Sequence, residues 1–213
     1  MNIQLNKLIP TPLADSINPN SGVWNKEVIF SQGKTYLIDA RSGKGKSTFI
    51  HSLYGIRRDY TGTISIEDRK LKKYEKDELA TLRQSHLSIV FQDLRLFPHL
   101  TASENIKINS LLAHSTMANK LPEIYTRLQI SHLVDKPAGL LSYGEQQRFA
   151  IVRAITQPFD WLLLDEPFAH LDKENTLAAY QLIQEAVKIN QAGLILTSLG
   201  EDAFISYDYK LNL

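Results

Sequence analysis

Cysteine is absent from all 213 residues, which excludes disulfides and thiolate metal sites and fits a reducing compartment. Charge of one sign is lacking too: 24 Lys and Arg meet 23 Asp and Glu, for a net charge of +1. Nucleic-acid binders ordinarily carry a basic excess, so this balance argues against that class. No segment reaches the run of about 18 apolar residues that a membrane span requires. The stretch from Met1 to Leu13 is broken by Asn and Lys, and prolines follow at Pro10, Pro12 and Pro19, unlike a secretory leader. The six histidines, His51, His86, His99, His114, His132 and His170, show no metal-ligand spacing. A cytoplasmic chain is expected, peripheral to a membrane only where a partner holds it there. What is present is ordinary core material, with 43% hydrophobic and 22% charged residues, enough for a single domain over 1–213.

Apolar runs and turn signals order the elements. Ile3, Leu5 and Lys7 to Ile9 suggest a strand, and Pro10 to Gly22 a turn-rich connection. Val28 to Phe30 and Thr35 to Asp39 read as strands joined by a hairpin turn at Ser31 to Lys34. A helix should run from the following glycine-rich loop to about Tyr54, and Thr61-Gly62 should introduce a strand at Thr63 to Ile66. Lys70 to Lys76 reads as a solvated, charge-dense face. Leu87 to Phe91, Trp161 to Leu164 and Leu194 to Thr197 look like buried strands, and Tyr207 to Leu211 like an edge strand. Helical pattern covers Ala102 to Ile130, broken by Pro122, then the stretch up to Ile155, and Lys173 to Ile189. Alternating strands and helices imply an α/β fold with a mostly parallel sheet. The early strands imply a small antiparallel sheet, and 102–145 a helical lobe.

Phosphate chemistry is written into several segments. Ala40 to Ser47 places a small residue, four positions, then Gly-Lys-Ser between an apolar strand and a helix, the P-loop (Walker A) context. Gly43 and Gly45 let the backbone curl, so that Arg41, Ser42, Gly43, Lys44, Gly45, Lys46, Ser47 and Thr48 can cradle a nucleoside triphosphate at a helix amino terminus. Lys46 can reach the β and γ phosphates, and the Ser47 hydroxyl can coordinate Mg²⁺. Trp161 to Leu164 would deliver Asp165, a second Mg²⁺ ligand, to the carboxyl edge of the sheet, where open α/β sheets bind ligands. Further on, Leu141-Ser142-Tyr143-Gly144-Glu145 sets a hydroxyl and a bare N–H at a helix start, which suits a γ phosphate.

With Gln146-Gln147-Arg148 after it, that last segment resembles the signature of ATP-binding cassette (ABC) ATPases, usually Leu-Ser-Gly-Gly-Gln. The resemblance covers most of the chain. It implies a P-loop NTPase with a RecA-like core, a small antiparallel β subdomain and a helical signature subdomain. It implies that Glu166 is the carboxylate that deprotonates the attacking water, and that Gln92 touches Mg²⁺ and that water. Ser142, Gly144 and Glu145 would close on ATP held by another cassette, so the chain should work as a homodimer or with a paired cassette. Ala169 to Asp172 resembles the loop crossing that interface. Lacking a span, the chain would power separate transmembrane permease subunits. The run Leu96 to Thr101, with Glu104-Asn105, resembles importer and lipoprotein-release cassettes. Only 48 residues separate Gln92 from Leu141, too few for the long coiled coil of DNA-repair relatives.

Several positions depart from the family pattern. Ala40 stands for glycine, Tyr143 for the first signature glycine and Glu145 for glutamine. No aromatic residue occupies Ile9 to Thr11, where the adenine is often stacked; Trp24, the nearest, is expected in the core. After Leu194 to Thr197, Ser198 replaces the histidine that bridges Glu166, water and the γ phosphate, although the acidic Glu201-Asp202 keeps the surrounding pattern. A serine hydroxyl is short and takes no proton near neutrality. Slow or conditional hydrolysis with nearly intact ATP binding is therefore expected; the alternatives are a slow or non-hydrolysing nucleotide-gated regulatory clamp and a non-transport ABC ATPase working on DNA or the ribosome.

Overall fold

A computed structural model of the chain describes residues 1–110, 116–198 and 206–213. His114, Glu201 and Asp202 lie outside the described residues. The strands are β1 (Ile3–Pro10), β2 (Glu27–Phe30), β3 (Thr35–Asp39), β4 (Tyr60–Ile66), β5 (Arg69–Lys70), β6 (Leu87–Val90), β7 (Trp161–Asp165), β8 (Gly193–Ser198) and β9 (Tyr209–Asn212). The helices are α1 (Lys46–Leu53), α2 (Lys76–Ser85), α3 (Ala102–Ser110), α4 (Leu121–Arg127), α5 (Tyr143–Ile155) and α6 (Lys173–Asn190).

Five strands in the order β6-β7-β8-β3-β9 form an all-parallel sheet. Its inner strands are apolar at nearly every position because both faces are covered. Leu162, Leu164, Leu194, Leu196 and Leu37 face one core, shared with α5, α6 and the helical lobe. Trp161, Leu163, Ile195, Tyr36 and Ile38 face the other, shared with α1 and the antiparallel sheet. Fully burying each such side chain contributes about 1.5–3 kcal/mol, which favours β8 at the centre with β7 and β3 on either side.

The second sheet, β2-β1-β4-β5, is antiparallel. The hairpin expected at Ser31 to Lys34 is overturned. A turn does form, with Lys34 N–H donating to the Ser31 carbonyl at 3.3 Å. Yet β2 pairs with β1, whereas β3 pairs with β8 and β9, so the turn carries the chain from one sheet to the other. Gly62 lies inside β4 rather than before it. Its φ of 73° sits where the β1–β4 register shifts between Asn6 and Ile9. A Cβ there would collide with the Lys7 carbonyl oxygen, so only glycine fits this bulge.

Two further differences concern helices. The charge-dense Lys70 to Lys76 is largely exposed, as expected, but leads into α2, where Glu75 and Glu78 form a capping box and Leu79 and Leu82 anchor the buried side. Pro122, expected to break a helix, instead sits in the first turn of α4, where its missing N–H is not needed. Within the helical lobe the buried Asn105 accepts from Phe97 N–H at 2.7 Å and donates to the Phe97 and Thr101 carbonyls at 3.0 Å. The Phe97–Thr101 turn is thereby fixed on α3.

Candidate active site

The phosphate loop leaves β3 and enters α1 through two left-handed glycines, Gly43 (φ 74°) and Gly45 (φ 98°). Gly45 is the N-cap of α1, and a Cβ there would also lie 2.5 Å from Leu13 Cδ1. Lys46, the first residue of the helix, is only 4% exposed. Its Nζ donates to the Ala40 carbonyl at 2.5 Å and pairs with Glu166 Oε1 at 3.1 Å. Ser47 Oγ donates to Gln92 Oε1 at 3.1 Å, and Gln92 Nε2 donates to Glu166 Oε2 at 3.4 Å. Lys46, Ser47, Gln92 and Glu166 thus form one connected cluster at the carboxyl edge of the parallel sheet.

β7 ends at Asp165, and Glu166 follows with φ 50°, a left-handed conformation that costs an L-residue roughly 1–2 kcal/mol. Thr197, set opposite Asp165 by the β7–β8 register, holds this turn. Its hydroxyl accepts from Glu166 N–H at 3.1 Å and donates to Asp165 Oδ1 at 2.9 Å. Asp165 itself is 0% exposed. Burial pushes its carboxyl pKa up, and the nearby Ser47 and Thr197 hydroxyls only partly oppose this. Asp165 Oδ2 is buried and has no hydrogen-bond partner among the described residues. A sealed carboxylate oxygen of this kind is costly unless a cation completes it. The donor set of Ser47, Gln92 and Asp165 therefore fits Mg²⁺, a hard cation that takes oxygen ligands.

The signature caps its own helix. Glu145 N–H donates to Ser142 Oγ at 3.4 Å, and Ser142 N–H donates to Glu145 Oε2 at 2.7 Å, a capping box on α5. The Ser142 hydroxyl acts here as acceptor, which leaves its proton for a ligand. Gly144 lies against the carbonyl of His170, where a Cβ would be 3.0 Å away. Among the described residues, none of Ser142, Gly144 and Glu145 bonds to this chain's own phosphate loop. Gln147 Nε2 donates to the Pro167 carbonyl, and to that of Glu166 at 3.4 Å, tying α5 to the carboxylate turn.

Ser198 ends β8, is 3% exposed, and lies opposite Asp39 in the sheet. Its carbonyl accepts from Ala40 N–H at 3.5 Å, so the substituted position borders the phosphate loop. Trp24 is buried at 2% exposure, edge-on to Phe49. A cavity of about 140 Å³ beside Gly43 and Lys44 is lined by Leu13, Ile17, Trp24 and Leu213 along with Ser16 and Asn18, so a largely apolar wall that includes one indole stands next to the loop. Two contributors escaped the sequence reading. Thr197 could be found only through the strand pairing, and Gln147 only through the contact of α5 with the loop after Glu166.

A parallel sheet that brings a phosphate loop, paired carboxylates and a loop glutamine to one edge defines a P-loop nucleotide-binding cassette. The chain belongs to the ABC transporter family, whose profile matches residues 25–169. It is 32% identical over 181 residues to the lipoprotein-releasing system ATP-binding protein LolD of Hahella chejuensis, covering 84% of this chain and 75% of that protein. Identity to the macrolide export ATP-binding/permease protein MacB of Burkholderia pseudomallei is 31% over 168 residues, covering 78% of this chain. The chain spans only 26% of MacB's length. In fold it matches the dimeric bacterial ABC transporter cassette MJ0796, with a TM-score of 0.82, 23% identity and coverage of 99% of this chain and 94% of that one. Among the described residues no helix is long and apolar enough to cross a membrane.

Proposed function

We propose that this chain is the ATP-binding and ATP-hydrolysing subunit of an ABC transporter. It acts as a homodimer or with a paired cassette on the cytoplasmic face, and drives separate transmembrane permease subunits. The observation that carries this reading is the cluster of Lys46, Ser47, Gln92 and Glu166 beside an Asp165 oxygen that has no partner among the described residues.

In this reading the N–H groups of Arg41 to Thr48 hold the phosphates and Lys46 neutralises their charge. Phosphate oxygens entering the loop compete for Lys46 and draw it from Glu166. The carboxylate is then free to orient the attacking water and take its proton, while Gln92 holds the far side of that water. Ser47, Gln92 and Asp165 would hold Mg²⁺, which when bound supplies charge neutralisation at the β and γ phosphates. Ser142 and Gly144 offer a hydroxyl proton and a helix amino terminus to a phosphate held by the other cassette, with Glu145 keeping that end capped. The 102–145 stretch is the subdomain that carries them. Ser198 offers no proton acceptor at the end of β8, so turnover is slow relative to a cassette with histidine there.

A nucleotide-gated clamp without turnover is the second reading, motivated by Ser198 and opposed by the retained Glu166. Phosphate release by the native chain and by Glu166→Gln separates them. The substitution is expected to lower release by about 10²-fold or more with ATP still bound. Equal silence of both proteins, with and without the membrane partner, would leave the clamp.

A further inference from the structure

Tyr143 is the residue of the signature that the cluster at the sheet edge does not account for. It is the first residue of α5 and is 43% exposed. Its hydroxyl donates to the backbone carbonyl of Gln92 at 2.5 Å, 51 positions away in the chain. Its ring packs edge-on against that of His170, with centroids 4.4 Å apart at 69°. One side chain therefore touches the glutamine loop and the segment that follows Glu166.

The loop it holds needs holding. Leu94 and Arg95 both adopt left-handed backbone, with φ of 58° and 48°, a conformation that is strained for residues with a Cβ. At the far end of the same helix, the buried Arg153 donates to the Leu94 and Arg95 carbonyls at 2.7 Å. Helix α5 thus grips residues 92–95 twice, by a phenol in its first turn and a guanidinium in its last. Arg153 belongs to the packed interior. Tyr143 belongs to the helix end that meets ligand, and the glycine usual at that position could make neither contact.

We propose that Tyr143 is a positioning residue that couples the signature to the catalytic carboxylate of its own chain. When the signature helix shifts on closing over a phosphate, the phenol moves the Gln92 carbonyl with it. The Gln92 side chain, bonded to Ser47 and Glu166, is thereby set for the water-activating step. Tyr143 acts in this through Gln92, and the inference rests on the functional reading above.

The test compares native chain with Tyr143→Phe, which keeps the ring on His170 and removes only the hydroxyl. Loss of one such hydrogen bond from the step should lower kcat for ATP roughly 2- to 10-fold while KM stays the same. Amide exchange over residues 93–95 should rise by a similar factor. Unchanged kcat in the variant, or kcat and KM altered together, overturns the coupling role alone when the native chain binds and hydrolyses Mg·ATP. A native chain that binds without turnover removes the step being positioned and overturns it as well. A native chain that binds no Mg·ATP overturns the functional reading and this inference together.

Discussion

Thr197 and Ser198 are neighbours at the end of β8, yet they serve different ends. Thr197 fixes the Asp165–Glu166 turn through two hydrogen bonds. Ser198 fills the position beside the phosphate loop where the resemblance calls for an imidazole. Removal of a single positioned polar group from such a site costs about 10²-fold or more in rate. Ser198→His is accordingly expected to raise phosphate release by roughly that factor without changing ATP affinity. Turnover unaltered by the substitution would contradict the slow-hydrolysis account. The sequence register alone exposed Ser198, because the strand before it and the residues around it keep the pattern. Thr197 stayed hidden because its role depends on lying across from Asp165 in the sheet, a non-local relation. The same holds for the Asp165 oxygen that lacks a partner among the described residues, since a carboxylate's isolation is set by what packs around it.

At the scale of elements, the signature helix shows how local chemistry and function share residues. Ser142 and Glu145 cap α5 reciprocally, and hydrogen bonding to Ser142 N–H holds the Glu145 carboxyl below its ordinary value of 4.5. A depressed folded-state pKa contributes stability that is present above 4.5 and fades as the pH falls through the folded value. Glu145→Gln can still accept from Ser142 N–H but does not titrate. Its thermal midpoint should therefore fall less than the native one on acidification below pH 4.5; parallel curves would show that the cap carries no such linkage. Elements that buried strands or strong caps define were legible: β6, β7, β8, α1, α5 and α6 lie within a few residues of their sequence-based bounds. The hairpin reading failed because Ser31 to Lys34 is a sound local turn, while β2 and β3 pair in different sheets that pack on one shared core, a non-local choice of partners. Helix α2 was obscured because its buried side is chiefly Leu79 and Leu82, set among charged residues, too sparse for a periodic signal.

On the scale of the whole molecule, the parallel sheet separates two cores, and its carboxyl edge is where every catalytic candidate meets except the signature. Lys46, Ser47, Gln92, Asp165 and Glu166 converge within one chain, while Ser142, Gly144 and Glu145 bond within α5 and its surroundings. That division was legible in the order of the motifs, whereas the internal link from Tyr143 to Gln92 was not, since a side chain's reach across 51 positions is set by packing. In the function proposed above, a site split in this way is complete only when two cassettes face each other. Sedimentation of the Glu166→Gln chain, which should hold ATP without cleaving it, tests this most directly. With Mg·ATP the account predicts a species of twice the 24.2 kDa chain mass when it forms with a second copy, or of the two summed masses when it forms with a paired cassette, that dissociates when ADP replaces ATP. A chain that binds Mg·ATP yet sediments at 24.2 kDa whatever cassette is supplied would contradict it.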